Sequence, residues 1–418
     1  MFVWLYLVGW GTPSSMICLL RDSCTVRARC QLLLERLKRG ESGHFGFRIG
    51  NLQKVVDLVV AETRANYPDL KVPFHSRWRH FEVGGVDRIF ELRESTLDLD
   101  TREWARCLVD LVVVSVFLDA GAGADWKYLA MDGCEYGRSE GLALASFEAF
   151  RHGTFSSDSA HPVQADAQCL TSITELDLAK AFQVRTDNPL VGLAGRAKLL
   201  SALGRALLSS EVFPQQSPRI GHLFDYLVGQ CDANHCLSAG SILRAVLDAF
   251  SSIWPSRITL EGENLGDVWE HSAINPEDPV DHFVPLHKLS QWLSYSLIEP
   301  LEMGGITVTN IEDLTGLAEY RNGGLLIDAE VLIPLDEQAL HQVHEPHSEF
   351  IVEWRALTVS LLDVIADRVR AELGKSCVEL PLASILQGGT WSAGRKLAYE
   401  KRADGSSPIA VASDGTLF

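Results

Sequence analysis

Among its 418 residues the chain offers none of the short spacings that mark the commonest zinc and nucleotide sites. No two cysteines stand two residues apart, no HExxH occurs, and no Gly-rich loop ends in the Gly-Lys-Ser/Thr of a P-loop. Motif chemistry of those kinds is therefore unsupported. Positive charge is also scarce: 37 Lys and Arg stand against 55 Asp and Glu, a formal net charge of −18. Cations that displace counterions are what bind a phosphate backbone, so nucleic acid is excluded as a partner. Long apolar runs are missing too. Phe2–Trp10 is apolar, but Gly11-Thr12-Pro13-Ser14-Ser15 interrupts it before Met16–Leu20, and no basic stretch precedes it. That is too short and broken for a bilayer span, so no membrane partner is expected. Residues 1–22 read as an extension outside the fold; a weak anchor or signal is the alternative.

What is present is ordinary globular composition, 46% hydrophobic and 22% charged, long enough to bury a full core. Nine scattered cysteines, an odd count, read as reduced buried thiols in a cytoplasmic protein. Cys231, His235 and Cys236 lack the second ligand pair a zinc site needs. His341, His344 and His347 are broken by Pro346, so no metal and no cofactor is expected.

Helical periodicity dominates. Apolar residues recur at helical spacing over 26–38, 51–67, 102–119, 139–152, 174–183, 194–209, 239–253, 286–298, 310–320 and 349–373. Thr174 with Asp177 reads as a capping pair. Strand candidates are few, at 82–92 and 408–412. The fold class is therefore mostly α, a single large helical domain over 23–335, with a C-terminal helix and tail over 336–418 packed on the same body. The irregular stretch from Trp254 to Pro285 is the longest loop, a length often used for binding.

Several segments carry candidate chemistry beside plainer readings. The apolar run from Leu111 ends at Gly121 and Gly123, superficially a dinucleotide turn. Trp126 occupies the place of the third glycine and no βαβ unit follows, so a buried helix explains the run better. Asp119, Asp125 and Trp126 then sit at a helix end, as a pocket lip or as routine solvated residues. Pro73–Phe81 packs His75, Arg77, Arg79 and His80 among aromatics: it either stacks a ring and pairs an anion or clasps two elements together. Gly137-Arg138-Ser139-Glu140-Gly141 opens a helix and either presents N–H groups to an anion or is an ordinary cap.

Lys288 and Glu319 are the sharpest pair. Lys288, Gln291, Tyr295 and Glu299 form one stripe of the 286–298 helix, opposite Leu289, Trp292, Leu293 and Leu297. Glu319, between Ala318 and Tyr320-Arg321, reads as lying near the C-terminal end of the 310–320 helix, with Asn322-Gly323-Gly324 as its stop. A negative helix end would raise its pKa unless Lys288 or Arg321 compensates. The pair is either a plain ion pair or the acid–base centre of a pocket.

From about residue 23 onward the chain resembles the uracil-catabolism protein four family of fungi and bacteria. The matching runs include PFHSRWRHFEVGGVDR (73–88), SVFLDAGAGADWKY (115–128), GRSEGLALASFEAF (137–150), HKLSQWLSYSLIEPLE (287–302), LTGLAEYRNGGLLID (314–328) and GGTW (388–391). The resemblance implies a role in degrading uracil through ribose-bearing intermediates. HKLSQWL and LAEYR, with other stretches of 137–335, distantly resemble queuosine-nucleotide salvage glycosidases. That second resemblance implies a helical glycosylase-like fold in which Lys288 and Glu319 take the catalytic positions. The expectation is an N-ribosyl hydrolase acting on a small ribosyl substrate, with Asp119, Asp125, Trp126, His75, Arg77, Arg138, Tyr295 and Arg321 as substrate-binding residues. The alternatives are a non-catalytic partner of the same route and a nicotinamide oxidoreductase, the latter eliminated by a helix over 107–119. Oligomeric state is left open.

Overall fold

The helix Thr101–Phe117 forms the centre of the molecule, because from Trp104 to Phe117 its residues are apolar or small except Arg106 and Asp110, and all but Arg106 are buried, the Asp110 carboxylate paired with Arg219 (2.6 Å). A helix without a polar face has to be surrounded. Asp100 starts it, its side chain accepting from Glu103 N (2.8 Å). Lys288–Met303 and Arg138–Arg151 pack against it, and Ala239–Phe250 packs against Lys288–Met303. The computed structural model describes residues 13–123, 125–254, 258–274 and 282–412.

The second half of the body is Glu349–Leu373 lying on Ser23–Lys38 and Leu52–Asn66. Its C-terminus stops at Gly374, which takes the left-handed conformation (φ 64°) that ends helices with little steric cost. The expected capping pair is present in full, with Thr174 and Asp177 satisfying one another's backbone N–H groups. Strands contribute only two-stranded pairs among the described residues. Phe45–Phe47 pairs antiparallel with Leu332–Pro334, Lys127–Leu129 with Glu135–Gly137, and Val268–Glu270 with Phe283–Pro285. Cys236–Ser238 lies parallel to Thr307–Thr309. The architecture is mostly α, and the helix over 101–117 removes the strand that a dinucleotide fold would need there.

Four expectations are corrected. The 82–92 stretch is a short 3-10 turn followed by the helix Arg88–Glu94, not a strand. Residues 310–320 do not form a helix: after the turn Ile311–Asp313 the chain runs without helix to Glu319, and a helix begins at Tyr320. The backbone groups a helix would pair internally are taken by neighbours. Gln291 Oε1 accepts from Thr315 N (3.2 Å), and Tyr295 donates to Thr315 O (3.1 Å). Residues 13–22, assigned to the outlying extension, are packed on the body. Ile17 and Leu20 are buried with Leu265, Val268 and Phe283, and Arg21 pairs with Asp248 (3.0 Å). Residues 1–12 lie outside the described residues. Of the cysteines, only Cys30 and Cys107 are buried, and all nine are free thiols.

Candidate active site

Glu319 ends an extended stretch (φ −117°, ψ 163°) and caps Tyr320–Asp328 from outside. Its Oε2 accepts from Arg321 N and its Oε1 from Asn322 N, both at 2.6 Å. The carboxylate therefore faces the positive end of a helix, the reverse of the placement read from the sequence. Burial still wins: it pushes the Glu319 carboxyl above the usual carboxylate range, against the pull of Lys288 and of the two N–H groups.

Lys288 opens its helix just after His287, which holds a left-handed conformation (φ 47°) rare for a residue with a side chain. The His287 imidazole donates through Nε2 to Leu20 O (2.8 Å), so the N-terminal segment braces this turn. Burial draws the Lys288 ammonium below its ordinary pKa, while Glu319 and Asp119 favour its charged form. Among the described residues no carboxylate lies within 4.0 Å of its Nζ, so the pair is not closed on itself. The Nζ stands 5.9 Å from the Trp292 ring centre.

A buried bracket sets the two residues relative to each other. Asp267 Oδ2 accepts from Lys288 N (2.9 Å). The same carboxylate is gripped by both Nη atoms of Arg355 at 2.7 Å, and Arg355 Nε donates to Ala318 O (3.2 Å), one residue before Glu319. Arg355 and two further hydrogen bonds, from Lys288 N and the Trp269 indole, hold the Asp267 carboxyl far below its usual range. From the C-terminal side, Trp391–Lys401 packs on the Glu319 helix. A Cβ at Gly394 would stand 2.5 Å from Arg321 O, so only glycine permits that approach.

Glu319 and Lys288 line a cavity of about 280 Å³ together with His75, His80, Asp119, Arg138, Trp292, Tyr320 and Trp391. The Gly121–Gly123 turn forms another part of its wall. Arg77 lies behind that wall, fully buried: it binds Asp119 (3.2 Å), Ser115 Oγ (2.7 Å) and Ser139 O (3.1 Å), tying three segments together. Both imidazoles are drawn below their ordinary pKa by burial, His80 strongly. His75 donates through Nδ1 to Gln387 Oε1 (2.9 Å), which leaves Nε2 as an acceptor.

Of the residues singled out in the sequence, the fold thus gathers Glu319, Lys288, His75, Asp119 and Arg138 at one cavity. Arg77 supports it, and Arg321 lines the neighbouring hollow. Three do not reach it. Asp125 is exposed and not on the wall. Trp126 is buried, its indole donating to Phe182 O (3.0 Å). Tyr295 is buried in the core on Thr315. Trp292, Tyr320 and Trp391 were not singled out as binding residues, and His80 only as part of the Pro73–Phe81 segment. Trp292 was placed on the core face by periodicity, and the ends of a two-sided helix carry no sequence sign of which large apolar residue borders a void.

Gly137-Arg138-Ser139-Glu140-Gly141 also has the Gly-x-Ser-x-Gly spacing of a serine-nucleophile turn. Ser139 lines the cavity, yet among the described residues no histidine hydrogen-bonds its Oγ, and the strand before it belongs to a two-stranded hairpin. Among those residues the activating base of a serine nucleophile has no counterpart there. One possible cation group occurs among the described residues: His44, His271 and Glu353, with ligand atoms all within 4.8 Å. Ala273 N donates to His271 Nδ1 (3.1 Å), so the neutral ring carries its proton on Nε2. That nitrogen carries its proton toward Glu353 Oε2 at 3.6 Å, beyond hydrogen-bond distance, and presents no lone pair there for a cation.

Residues 19–418 match the family model described as "Protein of unknown function (DUF1688)". The chain belongs to this family. It is 40% identical to Protein urg3 of Schizosaccharomyces pombe over 407 residues, covering 94% of this chain and 96% of that protein. It is 37% identical to Uracil catabolism protein 4 of Lachancea kluyveri over 411 residues, covering 91% and 93%. Among the described residues no helix is long and apolar enough to cross a membrane.

Proposed function

We propose that the chain acts in uracil catabolism as a hydrolase of N-ribosyl bonds, on a ribosylurea-like or pyrimidine-derived ribosyl compound. The observation that carries this reading is the open Glu319–Lys288 pair: a buried carboxylate and a half-buried ammonium on one cavity wall, with no contact within 4.0 Å between them. A relative named for uracil catabolism, matched over nearly its full length, supports the pathway.

In this reading the bond from the anomeric carbon to nitrogen breaks, and its electron pair leaves with the nitrogen. The sugar passes through an oxocarbenium-like state that the Glu319 carboxylate stabilises. Water adds to the anomeric carbon and gives its proton to Glu319, which passes it to the leaving nitrogen and returns to the carboxylate. The Lys288 ammonium keeps Glu319 ionised despite its burial and faces the charge gathering on the leaving nitrogen. Trp292, Tyr320 and Trp391 supply flat apolar surface for the sugar and the leaving group.

A second reading has its own support. Both Glu319 oxygens already accept backbone N–H groups, as in a purely structural helix cap. The protein would then bind a pathway intermediate without turning it over. Incubation of the purified chain with ribosylurea, uridine and their monophosphates, following free ribose and ribose phosphate, separates the two. Release of sugar that is lost in Glu319→Gln supports the hydrolase; binding without release supports the second reading.

A further inference from the structure

Beside the cavity that holds Glu319 lies a second hollow of about 480 Å³, and His75, His80, Arg138, Ser139, Tyr320 and Trp391 line both. Its remaining wall is strongly basic. Arg79, Lys127, Arg138, Arg321 and Arg395 border it, and Glu140 is the single carboxylate on the lining. Arg79 is neutralised by Glu82 and Glu299. The other four cations have no carboxylate within 4.0 Å among the described residues.

On a chain with a net charge of −18, four cations without an acid partner are gathered around this one hollow. Arg321 makes the point more strongly, because it is 3% exposed. It donates to Gly405 O (3.1 Å), while its buried Nε has no partner. A buried guanidinium N–H without an acceptor is costly unless a ligand supplies one.

The backbone places these cations deliberately. In the Lys127–Leu129/Glu135–Gly137 hairpin, Lys127 stands opposite Gly137. A Cβ at Gly137 would stand 2.7 Å from Lys127 Nζ, which puts the ammonium against the residue before Arg138. Arg138 itself holds a left-handed conformation (φ 52°), and Arg77 fixes the next residue through Ser139 O. A side-chain-bearing residue in that region persists only where its surroundings impose it.

The geometry points to an anion subsite in this hollow that takes a phosphate monoester carried by the sugar whose anomeric carbon faces Glu319. The inference rests on the ribosyl reading of the neighbouring cavity. A monoester carries nearly two negative charges at neutral pH and three acceptor oxygens, which suits several cations better than a single carboxylate would. The substrate class is thereby narrowed to phosphorylated ribosyl compounds.

Calorimetric titration of the full chain with ribose 5-phosphate, ribose and inorganic phosphate tests this. Ribose 5-phosphate is expected to bind at least roughly tenfold more tightly than ribose, since charge-assisted hydrogen bonds are the strong ones. The advantage shrinks in high salt. The Lys127→Met/Arg138→Met/Arg395→Met variant should lose it while melting close to the wild-type temperature, because among the described residues these three side chains make no hydrogen bond or ion pair, and Arg395 only stacks on the Trp391 ring (5.7 Å). The Glu319→Gln variant should keep it. Equal binding of ribose and ribose 5-phosphate by the wild type, or a preference that survives the triple substitution, overturns the subsite. Turnover with the same kcat/KM for a ribosyl compound and its phosphate also overturns it while leaving the hydrolase reading intact. A phosphate preference without turnover of any ribosyl compound upholds the subsite and removes the hydrolase.

Discussion

Glu319 and Lys288 each pay for burial in opposite directions, and their pKa shifts set a narrow working range. Activity needs Glu319 ionised, and burial raises its pKa above the ordinary 4.5, so the acid limb of kcat/KM moves to higher pH. Activity also needs Lys288 charged, and burial lowers its pKa below the ordinary 10.5, so the alkaline limb moves to lower pH. Lys288→Met removes the cation that favours the Glu319 carboxylate. In that variant a pH–rate profile should show the acid limb shifted further up; an unmoved limb would mean that the two charges do not interact. The macroscopic values belong to the pair. Tyr295→Phe tests the reassignment of Tyr295 to the core. It should cost about 0.5–1.5 kcal/mol of stability by denaturant titration, the worth of one hydrogen bond, with KM unchanged. The stripe of Lys288, Gln291 and Tyr295 was legible in the sequence, but its use was not. Two of its members hold the Thr315 backbone in place of lining the pocket, a tertiary contact that no periodicity encodes.

Between elements, the Asp267–Arg355 pair joins the start of the Lys288 helix to the residue before Glu319. Arg355→Met leaves Asp267 buried beside the Lys288 amide without its counter-charge. Breaking a buried pair from one side typically costs about 3–5 kcal/mol, so thermal unfolding should shift clearly downward. Because the bracket positions both groups, kcat should fall more than KM rises; a variant with lowered stability and wild-type kcat would make the bracket purely structural. Helices such as Thr101–Phe117 and Glu349–Leu373 were readable, since continuous apolar surface and a terminal glycine are local signals. The non-helical run Leu314–Ala318 was not. Its Ile311, Leu314 and Leu317 imitate helical spacing, while Gly316 packs so closely on Leu362 that a Cβ would stand 2.8 Å away.

At the scale of the whole molecule, the site draws on both ends of the chain. His75, His80 and Asp119 come from the first third, Lys288 and Glu319 from the later body, and Trp391 from the C-terminal part. Leu20 O holds His287 beside Lys288 from the N-terminal side. Truncation separates what the sequence grouped together. Deleting residues 1–22 removes two buried aliphatic side chains and the Arg21–Asp248 pair, and should destabilise the fold by roughly 3–6 kcal/mol at about 1.5–3 kcal/mol per side chain. An unchanged melting temperature in that deletion would contradict the packing of residues 17–21. Such long-range assembly explains why the residue types of the site were legible and its walls were not: Trp391 and Trp292 come to one cavity only once the chain is folded.

The most direct test compares wild type and Glu319→Gln in the hydrolysis of ribosylurea and its 5-phosphate, measured as released sugar in single-turnover and steady-state experiments. The substitution keeps the side chain's size and removes the charge that stabilises the sugar cation. The account predicts release by the wild type and a loss of about 10²–10³ in kcat in the variant, with substrate affinity little changed. Release by Glu319→Gln at the wild-type rate would contradict it and leave Glu319 as the cap of a helix.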